Sequence, residues 1–151
     1  MTDDEAMAIA LEEAAAAAAA GDVPVGAVVL GPDGALLARR RNEREQVGDP
    51  TAHAEVLALR DAAAAVGSWR LTGTTVVATL EPCAMCAGAL VGARVARVVF
   101  GAADPKAGAC GSLYNLCADP RLNHEVTVEP GLRAAACGEV LSAFFASKRL
   151  R

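Results

Sequence analysis

Thr74-Thr75-Val76-Val77-Ala78-Thr79-Leu80 runs into Glu81-Pro82-Cys83-Ala84-Met85-Cys86 and, through a stretch of small and straight-chain residues ending at Val91, into Val95-Ala96-Arg97-Val98-Val99-Phe100. The first and last segments are rich in Val and Thr, the composition of strands, while residues 83–91 suit a helix. A strand, helix and strand in that order imply parallel pairing through a right-handed crossover. Working outward, residues 52–66 read as a second helix, closed by Gly67. Before it, Val23–Leu30 and Ala35–Asn42 flank the turn Gly31-Pro32-Asp33-Gly34, a β-hairpin. After Phe100 come a glycine-rich loop to Ser112, a helical turn at 113–117 and a fifth strand at 125–129. A closing helix spans 132–148, with Ala136, Val140 and Phe144 on one stripe. Residues 3–20, acidic at the start and stopped by Gly21, make an N-terminal helix. The fold expected is α/β: a three-layer α/β/α arrangement around a mixed five-stranded sheet, built as one domain over 1–151.

The same segments bring chemistry to one end of that sheet. Pro82 fits the first position of a helix, which sets Cys83 and Cys86 on one face of its opening turn. Asp49-Pro50 reads as the N-cap and first residue of the other helix, placing His53 in its first turn and Glu55 just beyond. Ligands of open α/β sheets bind beyond the carboxyl ends of parallel strands, where both helix starts fall. A catalytic zinc takes three protein ligands and leaves a fourth position to water; His53, Cys83 and Cys86 supply that number. Each residue alone has a plainer reading. Cys-x-x-Cys fits a redox pair or half a structural zinc knuckle, His53 a packed or surface histidine, and Glu55 a solvated carboxylate. No fourth His or Cys stands at ligand spacing. His-x-Glu followed by Pro-Cys-x-x-Cys is the pattern of zinc-dependent base deaminases, in which the glutamate carries protons and does not bind the metal. Thiolates with an imidazole favour zinc over iron.

Composition narrows the classes further. The chain has 151 residues, 54% of them hydrophobic and 21% charged, which is enough for a real core. Met1-Thr2-Asp3-Asp4-Glu5 has no basic leader, and the alanine run at 14–20 follows Glu12 and Glu13, so neither a signal peptide nor a membrane span is expected. The five cysteines are an odd number, and Cys110, Cys117 and Cys137 show no framework spacing, so a reducing, cytoplasmic setting is expected. A net charge of −4 gives no overall basic footprint for nucleic acid. Basic residues nonetheless cluster at Arg39-Arg40-Arg41 with Arg44, and at Lys148, Arg149 and Arg151.

From Val23 to Arg149 the chain resembles the bacterial tRNA-specific adenosine deaminases of the cytidine deaminase superfamily. The resemblance rests on Val23-Pro24-Val25-Gly26-Ala27, Asp49 through Glu55, Thr79 through Gly88 and Val98-Val99-Phe100-Gly101. Further matches are Asp104-Pro105-Lys106-Ala107-Gly108, Gly111-Ser112-Leu113, Leu122-Asn123-His124 and Phe144-Phe145 with the basic end. It implies a cytidine deaminase-like fold and hydrolytic conversion of the wobble adenosine of an arginine-tRNA anticodon to inosine. One zinc per subunit would sit on His53, Cys83 and Cys86, with Glu55 as the catalytic residue. By the same resemblance Asn42 lines the base pocket, and Asp104, Lys106, Asn123, Phe145 and Arg149 contact the flanking nucleotides of the tRNA anticodon stem-loop. A homodimer is implied too, for which Ala84, Ala87 and Gly88 allow close helix packing. Asn42 could equally be a strand-end amide, Phe145 a core residue and the basic end a solvated helix terminus. Residues 17–22 lack the aromatic and basic side chains that some relatives carry there. Two other functions fit the zinc pattern: a small-molecule deaminase of guanine, cytosine or cytidine, and a zinc-stabilised RNA-binding module in which Glu55 is dispensable.

Overall fold

The computed structural model describes residues 1–149, so Arg151 of the basic end lies outside the described residues. Helix α1 (Asp3–Ala19) opens with a capping box: Glu5 N donates to Thr2 Oγ1 at 3.1 Å, and Thr2 N donates back to the Glu5 carboxylate at 3.3 Å. Strands β1 (Gly26–Leu30) and β2 (Leu36–Arg41) form the expected antiparallel hairpin. On its other side β1 pairs antiparallel with β3 (Thr75–Leu80). β3, β4 (Arg97–Ala102) and β5 (Thr127–Pro130) then run parallel, giving the order β2-β1-β3-β4-β5. This is the mixed five-stranded sheet that the apolar segments predict.

Alternation along the strands divides the core in two. Ala27, Val29, Val76, Ala78, Val98 and Phe100 face the layer of α3 (Ala54–Val66) and α4 (Ala84–Gly92). Val28, Leu30, Val77 and Val99 face α1 and α5 (Ala134–Arg149). Strands buried on both faces read as continuous apolar runs, and each fully buried valine contributes about 1.5–3 kcal/mol. α1 lies so close to β1 that a side chain at Gly26 would run into the Ala10 carbonyl. Gly101 meets Cys137 of α5 in the same way. These contacts give the glycines of Val23–Ala27 and Val98–Gly101 a packing reason. Helices therefore cover both faces of the sheet.

Several boundaries differ from the spacing, for local reasons. Asp49 does not cap a helix, because its Oδ1 accepts Thr51 N and Thr51 Oγ1, both at 2.8 Å, and folds 49–51 into a turn. α3 consequently starts at Ala54. A short helix, α2 (Arg44–Val47), precedes that turn, and a single 3₁₀ turn occupies Leu116–Ala118. On α5 the buried residue is Cys137, flanked by half-buried Val140, Leu141 and Phe144; Ala136, placed on the predicted stripe, is exposed. On β2, Arg39 pairs with Glu12 at 2.8 Å and Glu13 at 2.9 Å, and Arg40 with Asp61 at 2.9 Å and Glu43 at 3.3 Å. The Arg39-Arg40-Arg41 cluster is thus mostly neutralised by helix carboxylates and offers little basic surface to RNA. Among the described residues all five cysteines are free thiols, and no helix is long and apolar enough to cross a membrane.

Candidate active site

Two helices begin at the carboxyl ends of the strands, each with a potential ligand as its N-cap. His53 caps α3 with extended backbone (φ −74°, ψ 148°), and Cys83 caps α4 (φ −74°, ψ 178°). Neither side chain makes a capping hydrogen bond to its helix, so the imidazole and the thiol are turned toward each other and toward Cys86. Pro82 precedes the N-cap and does not occupy the first helical position. Its segment is pinned by Glu81 N donating to Ala102 O at 2.8 Å and Ala109 N donating to Pro82 O at 2.9 Å. Cys86 follows in the first turn of α4 and is buried.

His53 Nδ1 lies 3.7 Å from Cys83 Sγ and 3.5 Å from Cys86 Sγ, and the three donor atoms are within 4.8 Å of one another. Zinc bonds of about 2.3 Å to sulfur and 2.0 Å to nitrogen, at the tetrahedral angle, separate those atoms by roughly 3.5 Å. The donor set fits one zinc ion. Hydrogen bonding from Cys86 and His53 pulls the Cys83 thiol down to about 3, against the effect of burial. Cys86, which shares its proton with Cys83 and is buried, is pushed up. The pair thus carries a ready thiolate beside the imidazole.

Glu55, in the first turn of α3, is 4% exposed, and its Oε1 has no hydrogen-bond partner among the described residues. Burial is the main reason its carboxyl titrates above the usual range; the Cys83 thiolate adds to this, and His53 opposes it. A buried carboxylate with an unused oxygen costs stability unless something else engages it. Here it opens, with His53 and Cys83, onto a cavity of about 160 Å³. Proton exchange with a molecule in that cavity is the chemistry such a group supports.

Asn42 and Asp104 line the same cavity. The Asn42 amide donates to Val23 O at 3.0 Å and accepts from Arg44 N at 3.1 Å, so it holds the wall in shape as well as facing inward. Asp104 Oδ1 accepts Lys106 N at 3.0 Å and Ala107 N at 3.2 Å, which leaves Lys106 exposed near the mouth. Asn123, Phe145 and Arg149 are exposed and do not line the cavity. Phe145, 44% exposed, is no core residue; it stacks edge-on against Phe144, ring centres 5.5 Å apart.

Three further residues matter that the motifs do not single out. Arg44 lines the metal cavity and also an adjoining hollow with Gly21, Val23, Glu45, Phe144 and Lys148, which links α5 to the cavity mouth. Asp22, fully buried, accepts Glu45 N and Gln46 N, both at 3.0 Å, and so fixes the start of α2 beside Asn42. Glu81 accepts the backbone N–H groups of Asp104, Cys110 and Ser112 at 3.0 Å each, and the Ser112 hydroxyl as well. Burial would raise the Glu81 carboxyl, but these donors outweigh it and hold the group below the usual range. With the folded value depressed, its stabilisation is present at neutral pH and is lost as pH falls below the ordinary value of 4.5. Glu81→Gln should lower the unfolding free energy by about 2 kcal/mol at pH 7, with the gap closing toward pH 3 in denaturant titrations.

The family model of the cytidine and deoxycytidylate deaminase zinc-binding region matches residues 1–102. The chain is 49% identical over 150 residues to the tRNA-specific adenosine deaminase of Bacillus subtilis, spanning 99% of this chain and 92% of that one. Among solved structures it is similar to one from a study of A-to-I editing by tRNA:A34 deaminases at the wobble position (TM-score 0.87, 41% identity, 91% of this chain and 99% of that one). It is also similar to a guanine deaminase from Nitrosomonas europaea (TM-score 0.79, 28% identity, 95% and 84%). The chain belongs to the zinc-binding cytidine and deoxycytidylate deaminase family, in its tRNA-specific adenosine deaminase branch.

Proposed function

We propose that the chain deaminates the wobble adenosine of a tRNA anticodon, that of arginine tRNA, to inosine. The observation that carries this reading is the buried Glu55 oxygen, without a partner among the described residues, opening with His53 and Cys83 onto one cavity beside the His53, Cys83 and Cys86 donor set. His53, Cys83 and Cys86 would hold the zinc, whose Lewis acidity would make hydroxide available as a nucleophile near neutral pH. Glu55 accepts one proton of the water that attacks C6 and passes it to ring N1; it then takes the remaining proton from the new C6 hydroxyl and gives it to the exocyclic amine, which leaves as ammonia as the C6–N bond breaks and the C6 carbonyl forms. One carboxylate serves as base and then as acid.

The cavity volume suits a single base, so the adenine has to be turned out of the anticodon stack. Asn42 contacts that base. Asp104 and Lys106 at the mouth, with Asn123, Phe145 and Arg149 outside it, take the flanking nucleotides, Phe145 by stacking. A homodimer extends this surface. Ala84 and Gly88 are exposed on α4 and free for close packing, whereas Ala87 is buried in its own core and takes no part.

The test is inosine formation in an arginine-tRNA anticodon stem-loop, run beside free guanine, cytosine and cytidine. Inosine from the stem-loop alone supports the reading. Turnover of a free base with an untouched stem-loop replaces it with a small-molecule deaminase, whose activity the same cavity would also suit. If Arg149 meets a phosphate, Arg149→Ala raises KM for every stem-loop alike and reduces the slope of log affinity against log salt by about 0.7. Titration of affinity against salt measures that slope.

A further inference from the structure

We propose that Glu81 is a positioning residue for RNA binding: its buried carboxylate ties the 103–112 loop, which carries Asp104 and Lys106, to the segment that presents Cys83. The inference rests on the functional reading above for what Asp104 and Lys106 touch. Glu81 is 2% exposed, and its hydrogen-bond donors all come from one stretch: the N–H groups of Asp104, Cys110 and Ser112, and the Ser112 hydroxyl. The loop makes room for it at Gly108, where any side chain would fall on the carboxylate. Backbone contacts run alongside, with Ala109 N donating to Pro82 O at 2.9 Å and Gly108 bridging Cys83.

Both ends of the loop are thereby fixed relative to the metal residues. From the Asp104 end the order passes on, because Asp104 Oδ1 accepts the N–H groups of Lys106 and Ala107 and bends the chain so that Lys106 stands exposed near the cavity mouth. A carboxylate with several donors from one short segment sets that segment's shape, since each bond lost frees a buried donor. Glu81 touches neither a reacting atom nor a metal ligand's donor atom among its hydrogen bonds; it acts through the loop.

The experiment compares the zinc-loaded parent with Glu81→Gln and with the milder Ser112→Ala. In Glu81→Gln, zinc stays at one per chain, and hydrogen exchange at the amides of Asp104, Cys110 and Ser112 accelerates tenfold or more while α4 is unchanged. KM for the anticodon stem-loop rises about tenfold and kcat falls less than about threefold. Lys106→Ala then costs less in the Glu81→Gln background than in the parent. Ser112→Ala gives smaller shifts in the same direction. Loss of zinc, unchanged exchange, or a fall in kcat at constant KM overturns the proposal. A parent that leaves the stem-loop unmodified overturns the functional reading instead, while the exchange measurement still reads the tie between Glu81 and the loop.

Discussion

Glu55→Gln loses turnover by about 10³-fold or more while the protein keeps its zinc and unfolds no more easily than the parent. Each proton transfer by a positioned group is worth about 10²–10⁴ in rate, and Glu55 is the single group proposed for the whole sequence of transfers. Glutamine keeps the shape and removes the titrating oxygen. Stability should move the other way from activity. The unfolded carboxyl ionises near its ordinary value of 4.5, whereas burial raises the folded value. Folding therefore favours the protonated form, and this group lowers stability as pH rises from 4.5 through the raised folded value. At pH 7 the amide relieves that cost; near pH 4 the two proteins converge. Inosine assays, metal analysis and denaturant titrations at the two pH values check all three parts. A variant within tenfold of the parent's rate would remove Glu55 from proton transfer.

Cys83→Ala loses zinc and turnover together. It leaves two donors, His53 Nδ1 and the Cys86 sulfur, and takes away the thiol that hydrogen bonding from Cys86 and His53 pulls down. Two ligands do not retain zinc through dialysis at a site that uses three. Chelation of the parent should give the same inactive state, reversed by added zinc, whereas zinc should not restore the variant. The contrast with Glu55→Gln separates binding of the metal from use of it. A zinc-free but active Cys83→Ala protein would sink the ligand assignment.

How far these features can be read from the chain depends on whether their causes are local. The buried strands declare themselves because Val76–Ala78 and Val98–Phe100 are apolar on both faces, and Gly31–Gly34 marks the hairpin. His53, Glu55, Cys83 and Cys86 are legible because metal ligation needs specific residue types at specific spacings. The starts of α3 and α4 are misplaced from sequence because Asp49 and Pro82, good helix-start residues, serve a turn and an extended segment instead. Glu81 is not legible at all. A glutamate before proline looks solvated, and its burial comes from donors 23 to 31 residues away. The same holds for Arg39 and Arg40, whose charge is cancelled by carboxylates on α1 and α3 that no local pattern announces. Phe145 reads as a core residue unless its neighbours are known, since its exposure is set by how α5 lies on the sheet.

The arginines of β2 also bear on aggregation. An outer strand with free backbone groups is a template for another chain, and both outer strands here are blunted. β2 carries Arg39-Arg40-Arg41, with Arg39 and Arg40 gripped by helices on opposite faces, so that long side chains fold around the rim. β5 is four residues long and stops at Pro130, which has no N–H to offer. A second copy of the chain therefore finds no strand to extend. Association is left to helical and loop surface, where Met85, Leu113 and Tyr114 are exposed, and partner choice becomes a matter of side-chain shape and not of backbone pairing.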